Sequence, residues 1–405
     1  MAAPNDNGDD MHHPIQRRVL VLTLATAPLA GRAQAKKYGP GTSDTEIRIG
    51  QTLPYSGPAS AYAQLGRAEA AHFKFLNDNG GINGRRITFL SLDDGYAPPK
   101  AVELTRKLVE QDEVALIFGV LGTSVNVGTR RYLNQKKVPQ LFISAGSDTF
   151  AQPAQYPWTM GWQPTLRAEA RFYAQSILAE RPDAKIGVLY QDDDFGKELL
   201  AGLTDGLGDK ARQIVASQSF QATDPTVDSQ LITIKEKGAD TLMLFAYARH
   251  AAQSIRKAAD LRWQPDIYLH LGSASVSATL APAGLENATK VRTAGFIKDI
   301  TDPQWANDPD LAPFVATMKK YQPDADLNDA LYTMGWAIAL TLEQVLRQCG
   351  DDLTRENIMR QAANLKDWRN PALLPGSLIT TSPTDYRVVE YMKLQRFNGK
   401  TWQLV

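Results

Sequence analysis

The 405-residue chain has a single cysteine, Cys349. One thiol excludes a disulfide within the chain and any multi-cysteine zinc or iron–sulfur centre. Histidine is nearly as scarce. His12 and His13 stand near the start, which leaves His72, His250 and His270, far apart and with no i, i+4 pair on which a metal site could be built. Charge of one sign is also lacking: Lys plus Arg is 44, Asp plus Glu is 44, and the formal net charge is +0. Without a basic surplus the chain has nothing to meet a phosphate backbone, so nucleic acid is excluded as a partner. No stretch reaches the run of about eighteen apolar residues that a membrane-spanning helix needs.

The usual catalytic signatures are absent too. No G-x-S-x-G elbow occurs, since Gly122-Thr123-Ser124 lacks the closing glycine. No phosphate loop occurs, since Gly196-Lys197 runs into Glu198, and no G-x-G-x-x-G follows the first strand. Asp192-Asp193-Asp194 reads as a solvated loop, because three consecutive side chains do not converge on a cation without bends and further ligands. His250 and His270 are read as structural or pocket-lining rather than as acid–base groups. The chain is expected not to be an enzyme, and to hold neither a cofactor nor a metal.

What is present is the composition of a globular protein, 43% hydrophobic and 22% charged, with material for about two domains. The first segment reads as an address. Arg17 and Arg18 precede the apolar run Val19–Ala30, and Ala33-Gln34-Ala35 follows as a cleavage site. A basic region, a short apolar region and an A-x-A site make a secretory signal peptide over 1–35, with Met11 as an alternative start. The expected location is the periplasm.

Beyond it, short apolar strands alternate with amphipathic helices. Strands are expected at 47–53, 86–92, 114–118, 139–144, 185–190, 213–220, 241–246, 266–271 and 291–296. Helices are expected at 61–77, 98–111, 123–135, 166–178, 195–207, 229–237 and 248–261, then near 309–321, 328–348 and 353–364. The tail at 388–397 and 402–405 reads as strand. Such alternation predicts an α/β fold with parallel sheets covered on both faces. Two irregular stretches interrupt it, near 156–164 and 290–303, which suggests two lobes crossed by more than one segment.

In open parallel sheets ligands bind beyond the carboxyl ends of the strands, where helix N-termini offer unpaired N–H groups. Two loops at such places carry glycine and hydroxyl residues: Gly119 to Ser124, and Ala145-Gly146-Ser147-Asp148. They suit a carboxylate, or they simply cap the helices that follow.

The chain resembles the solute-binding proteins of ABC transporters, in the branched-chain amino-acid-binding family of type I periplasmic proteins. The resemblance rests on Ile47–Gly50 followed by Pro54–Pro58, on Asn77–Gly84, on Asp93-Asp94, on the Gly119–Ser124 loop, on Pro139–Gly146 and on Tyr190–Gly196. It covers nearly all of 46–405. It implies two α/β lobes joined by three hinge crossings, with the solute in the cleft between them. The lobes are expected at 46–161 plus 294–389 and at 162–293 plus 390–405. It implies a monomer that docks on an ABC permease and its ATPase and meets the membrane only through that permease.

Position by position, the resemblance places Tyr62 on the ligand, Gly122 and Thr123 on a first carboxylate loop, and Gly146, Ser147 and Asp148 on a second. Phe195 and Tyr247 match aromatic positions of the other lobe, and Gly272 stands where amino-acid binders carry an acid for the ammonium. The two positions of the family disulfide are Tyr96 and Gly122. Without an acid at Gly272, an α-ammonium lacks its partner. Asp148 replaces a hydroxyl residue; it either turns outward as a cap or accepts a hydroxyl from the solute.

A narrower resemblance, to binding proteins for lignin-derived aromatic acids, rests on residues 54–62, 133–142, 157–164, 224–230 and 349–357. It implies a benzoate- or cinnamate-like solute, with Tyr62, Trp162, Phe195 and Tyr247 either stacking on its ring or serving as core. The alternatives are a branched-chain or other amino acid as solute, or a sensor that presents its ligand to a signalling receptor.

Overall fold

The computed structural model describes Met1 and residues 36–405, so the expected signal peptide and its expected cleavage site lie outside the described residues. The first half runs β1 (Lys37–Tyr38), β2 (Glu46–Leu53), α1 (Ala63–Asp78), β3 (Arg86–Asp93), α2 (Pro98–Glu110), β4 (Leu116–Phe118), α3 (Thr123–Gln135), β5 (Gln140–Ile143) and β6 (Thr159–Gly161). Then come α4 (Leu166–Glu180), β7 (Ile186–Gln191), α5 (Asp194–Leu207), β8 (Ile214–Phe220), α6 (Asp228–Glu236), β9 (Thr241–Phe245), α7 (Ala248–Asp260), β10 (Asp266–Leu269), α8 (Ala281–Ala283) and β11 (Arg292–Gly295). The chain ends with α9 (Ala312–Tyr321), α10 (Ala330–Cys349), β12 (Asp352–Leu353), α11 (Arg355–Ala362), β13 (Lys393–Phe397) and β14 (Trp402–Leu404).

The local chemistry explains where helices begin. Thr165, Asp193, Asp329 and Thr354 each accept a backbone N–H two or three residues ahead, which satisfies a donor left over in the first turn. Pro98 opens α2 with its fixed φ and no N–H to waste. The 20 residues of α10 are apolar nearly all round, and the helix is correspondingly buried, packed on α1.

Two sheets organise the chain. The first has the order β3-β2-β4-β5-β6 and is parallel throughout. The second has the order β14-β13-β11-β10-β9-β7-β8; β13 runs antiparallel to both its neighbours and the other pairings are parallel. Parallel strands need crossover helices, and those cover both faces. The chain leaves the first sheet after Gly161 and joins the second through α4. It returns after Gly295 to α9 and α10, which pack on α1, and crosses again to reach β13.

The expected elements appear in order, with differences at their ends. The strand expected over 114–118 starts its ladder at Leu116, and the tail strand begins at Lys393 rather than 388. Val388 and Val389 are buried without joining a ladder, so their apolarity comes from packing. The aromatic segment near 160, expected to be irregular, contains β6, in which Thr159 pairs with Gln140 and Gly161 with Ile143. Among the described residues no helix is long and apolar enough to cross a membrane.

Candidate functional site

In each sheet the strand order reverses at one place, between β2 and β4 in the first and between β7 and β9 in the second. Crossovers leave to opposite sides there and open a crevice at the carboxyl ends of the strands. Tyr62 follows β2, Phe195 sits in the first turn of α5 after β7, and Tyr247 immediately precedes α7 after β9. The two topological crevices face each other, and these rings meet between them.

Phe195 and Tyr247 stack with centroids 4.7 Å apart and planes at 7°, while Tyr62 presents its edge to Tyr247 at 5.1 Å. Tyr96 adds a second edge contact to Tyr247 at 5.4 Å. The Tyr62 hydroxyl accepts the Ala248 N–H at 3.3 Å and lies 3.1 Å from the Ser273 hydroxyl, so it ties the two lobes. Burial pushes the Tyr62 phenol well above its usual range. Other bonds close the cleft: Ser124 Oγ donates to Asp193 at 3.3 Å, Gln191 Nε2 to the Tyr96 hydroxyl at 3.3 Å, and Ser275 Oγ to Asp329 at 2.8 Å. The Asp329 carboxyl is pushed up to about 6, chiefly by desolvation.

Between the lobes lies a cavity lined by Tyr62, Gly146, Phe195, Tyr247 and Gly272, five of the residues expected at the site. Only about 10 Å³ of it is open to a water-sized sphere, room for one water at most. The lobes are shut on each other, and a solute enters only when they part.

The other five expected residues do not line this cavity. Gly122 takes φ +96°, and a Cβ there would stand 2.7 Å from the Tyr96 ring, which covers it. Thr123 is fully buried and its hydroxyl has no hydrogen-bond partner. Ser147 Oγ accepts the Thr149 N–H at 3.2 Å and so acts as a cap. The Asp148 carboxylate accepts the Arg167 N–H at 3.2 Å at the start of α4, which is a capping contact. Trp162 donates its indole N–H to Thr341 at 2.9 Å and packs on Phe296 at 5.9 Å. That corrects its expected place beside the solute: its one polar atom and its ring are committed to the core against α10.

Ser144, which the pattern missed, and His270, read from the sequence as structural or pocket-lining, line the same cavity. Ser144, at the end of β5, is buried with an unpartnered hydroxyl. His270 follows β10, and its Nδ1 lies 2.9 Å and 3.1 Å from the two carboxylate oxygens of Glu169, which is wholly buried. His270, like Tyr247, stands just beyond the carboxyl end of a strand, where ligands of parallel sheets bind. Glu169 was legible as an acid on the buried stripe of α4, flanked by Leu166, Ala170 and Tyr173.

Comparisons with known proteins agree with this architecture. The family model described as "Periplasmic binding protein" matches residues 46–401. The "Leu/Ile/Val-binding protein homolog 7" of Brucella suis biovar 1 is 24% identical over 276 residues, and the match spans 64% of this chain and 64% of that protein. Among solved structures, a branched chain amino acid ABC transporter from Thermus thermophilus with bound valine superposes with a TM-score of 0.82 at 14% identity, covering 90% of this chain and 96% of that one. A fatty acid ABC transporter substrate-binding protein from Thermomonospora curvata superposes with a TM-score of 0.78 at 20% identity, covering 91% and 94%. The chain has the two-lobed α/β fold of type I periplasmic binding proteins, and it belongs to the periplasmic binding protein family.

Proposed function

We propose that the chain is the extracytoplasmic solute-binding subunit of an ABC importer, that its solute is a small carboxylate without an α-ammonium group, and that the solute is an aromatic acid. One observation carries the choice of solute. Rings, leucines and small residues line the cavity, with the Ser144 hydroxyl, the Gln163 amide and the His270 imidazole among its polar groups, and no carboxylate stands among the described residues that line it. An ammonium enclosed there would lack a counter-charge, which costs several kcal/mol. The stacked pair Phe195 and Tyr247, with Tyr62 at its edge, supplies surface for an aromatic face.

In this reading the lobes divide as 46–161 with 294–389 and 162–293 with 390–405; the membership of the two sheets supports the division except at Ala294 and Gly295, which pair with β13 in the second sheet. One lobe captures the solute, the other closes over it, and a permease in the membrane receives the closed form. Gly122 and Thr123 belong to the site as the opened cleft presents it. The unpartnered Thr123 hydroxyl supports this, because a solute oxygen would satisfy it. The place of action is the periplasm, after removal of the leader.

A second reading, branched-chain amino-acid binding, is favoured by the printed names of the Brucella relatives. Calorimetric titration with benzoate, 4-hydroxybenzoate, coumarate and leucine separates the two. The expected result is heat with at least one aromatic acid and none with leucine. Tight leucine binding with no response to the acids reverses the assignment.

A further inference from the structure

We propose that His270, held from behind by Glu169, is the residue that reads the charge of the solute: it meets a carboxylate with its Nε2 and thereby selects acids over their neutral analogues. This deepens the proposed function and rests on it.

The geometry begins at Glu169. Its carboxylate is sealed from solvent and faces the Leu271 N–H at 2.7 Å, the Tyr173 hydroxyl at 3.0 Å and His270 Nδ1 at 2.9 Å. Two of those three neighbours can only donate to it, and its oxygens facing Nδ1 favour the tautomer with a hydrogen on that nitrogen. The tautomer and the tilt of the ring are therefore set from the far side. Phe195 meets the imidazole edge to face at 4.7 Å and Tyr247 stands at 6.3 Å, so aromatic rings flank it.

That leaves Nε2 as the working atom, and among the described residues it has no hydrogen-bond partner. It faces the space beside Gly272. A Cβ on residue 272 would stand 2.6 Å from Nε2, so the missing side chain is what uncovers the nitrogen. His270 and Gly272 both line the cleft cavity. From the other lobe Ser144 brings an unpartnered hydroxyl to the same cavity. A carboxylate between them receives one donor from each lobe, which rewards closure.

A solute carboxylate beside Nε2 would have the imidazole between it and Glu169, and a charge-assisted hydrogen bond to it needs a hydrogen on Nε2 as well as on Nδ1. An amide of the same shape presents no anion and draws no such proton, so discrimination between acid and amide is the signature of this arrangement. Glu169 acts through His270 and is a positioning residue.

The test compares benzoate with benzamide by calorimetry, using the full chain and its variants. Wild type is expected to prefer the acid by about ten- to a hundredfold, the range for a hydrogen bond to a charged group. His270→Gln should bring the two affinities together. Gly272→Ala should do the same without removing the imidazole, because a methyl 2.6 Å from Nε2 forces the ring or the loop to shift and takes the open space in front of that nitrogen, at a backbone angle open to any residue. This second variant also decides the matter if His270→Gln, which leaves Glu169 buried beside a neutral side chain, fails to fold. If folded variants keep the wild-type preference for benzoate, the inference is overturned while the proposed function stands. If wild type binds leucine and neither benzoate nor its relatives, both fall together.

Discussion

The backbone N–H of Asp148 donates to the carboxyl of Glu198 at 2.8 Å, so a loop that follows β5 is fastened to the first turns of α5, an element of the other sheet. The Asp148 carboxyl lies beside that of Glu198. Desolvation first, and then the Asp148 carboxyl, push Glu198 up to about 7, against the lowering effect of the Ser147 hydroxyl and the Asp148 N–H. Two acids thus sit on the seam where the lobes close.

Because Glu198 is raised in the folded chain, its proton is held more tightly there than in the unfolded chain. The stabilisation is fully present below the ordinary value of 4.5 and is lost as pH rises through about 7. Melting temperature should therefore fall between those limits, and Glu198→Gln should flatten part of that fall. Differential scanning at several pH values checks this; identical profiles for the two proteins would contradict it.

Glu69 is a second acid with the same sign. It is wholly buried on α1, its one hydrogen bond is from Gln51 Nε2 at 2.6 Å, and desolvation pushes it up to about 8. At neutral pH it is a neutral acid of nearly the shape of glutamine. Glu69→Gln should cost under about 1 kcal/mol at pH 7 and remove the loss of stability seen as wild type passes through about pH 8. Chemical denaturation at pH 7 and pH 9 gives both numbers.

Thr123 offers a case in which stability and binding separate. Its hydroxyl is buried and unpartnered in the shut form, so Thr123→Val replaces a polar group that costs free energy. The variant should be at least as stable as wild type and should bind the aromatic acid more weakly by about 1–3 kcal/mol. Thermal melting and titration read the two effects independently, and unchanged affinity would remove Thr123 from the site.

Trp162 should behave in the opposite way. Trp162→Phe deletes the bond to Thr341, whose hydroxyl keeps its bonds to Ala337 and Asn370, so the lost hydrogen bond should cost about 0.5–1.5 kcal/mol of stability. Solute affinity should not change, because the ring does not line the cavity. A weakened affinity with unaltered stability would return Trp162 to the cleft.

The element order and the parallel sheets could be read from the chain's periodicity, while Tyr62, Phe195 and Tyr247 came from its resemblance to the binding-protein family. Apolar periodicity is a local property, and a strand end followed by a helix start marks a binding edge without further information. β6 escaped the reading because its alternation of Thr159, Met160 and Gly161 is set among Pro157, Trp158 and Trp162, where local preference does not indicate pairing. Asp148 was left between two orientations because a carboxylate near a helix start suits either a cap or a ligand. Only the approach of the Arg167 N–H, nineteen positions later, decides for the cap.

The sequence by itself determined the family, the two-sheet design and the lack of an acid at 272, since these depend on residue type and spacing. The tertiary structure alone decided that Trp162 is core, that the cleft is shut to about 10 Å³, and that His270 turns Nε2 toward Gly272 while Glu169, 101 positions earlier, grips the other side of the ring. Whether a side chain faces a solute or a neighbour depends on which distant segment arrives beside it, and that is settled by packing and hydrogen-bond satisfaction across the whole chain.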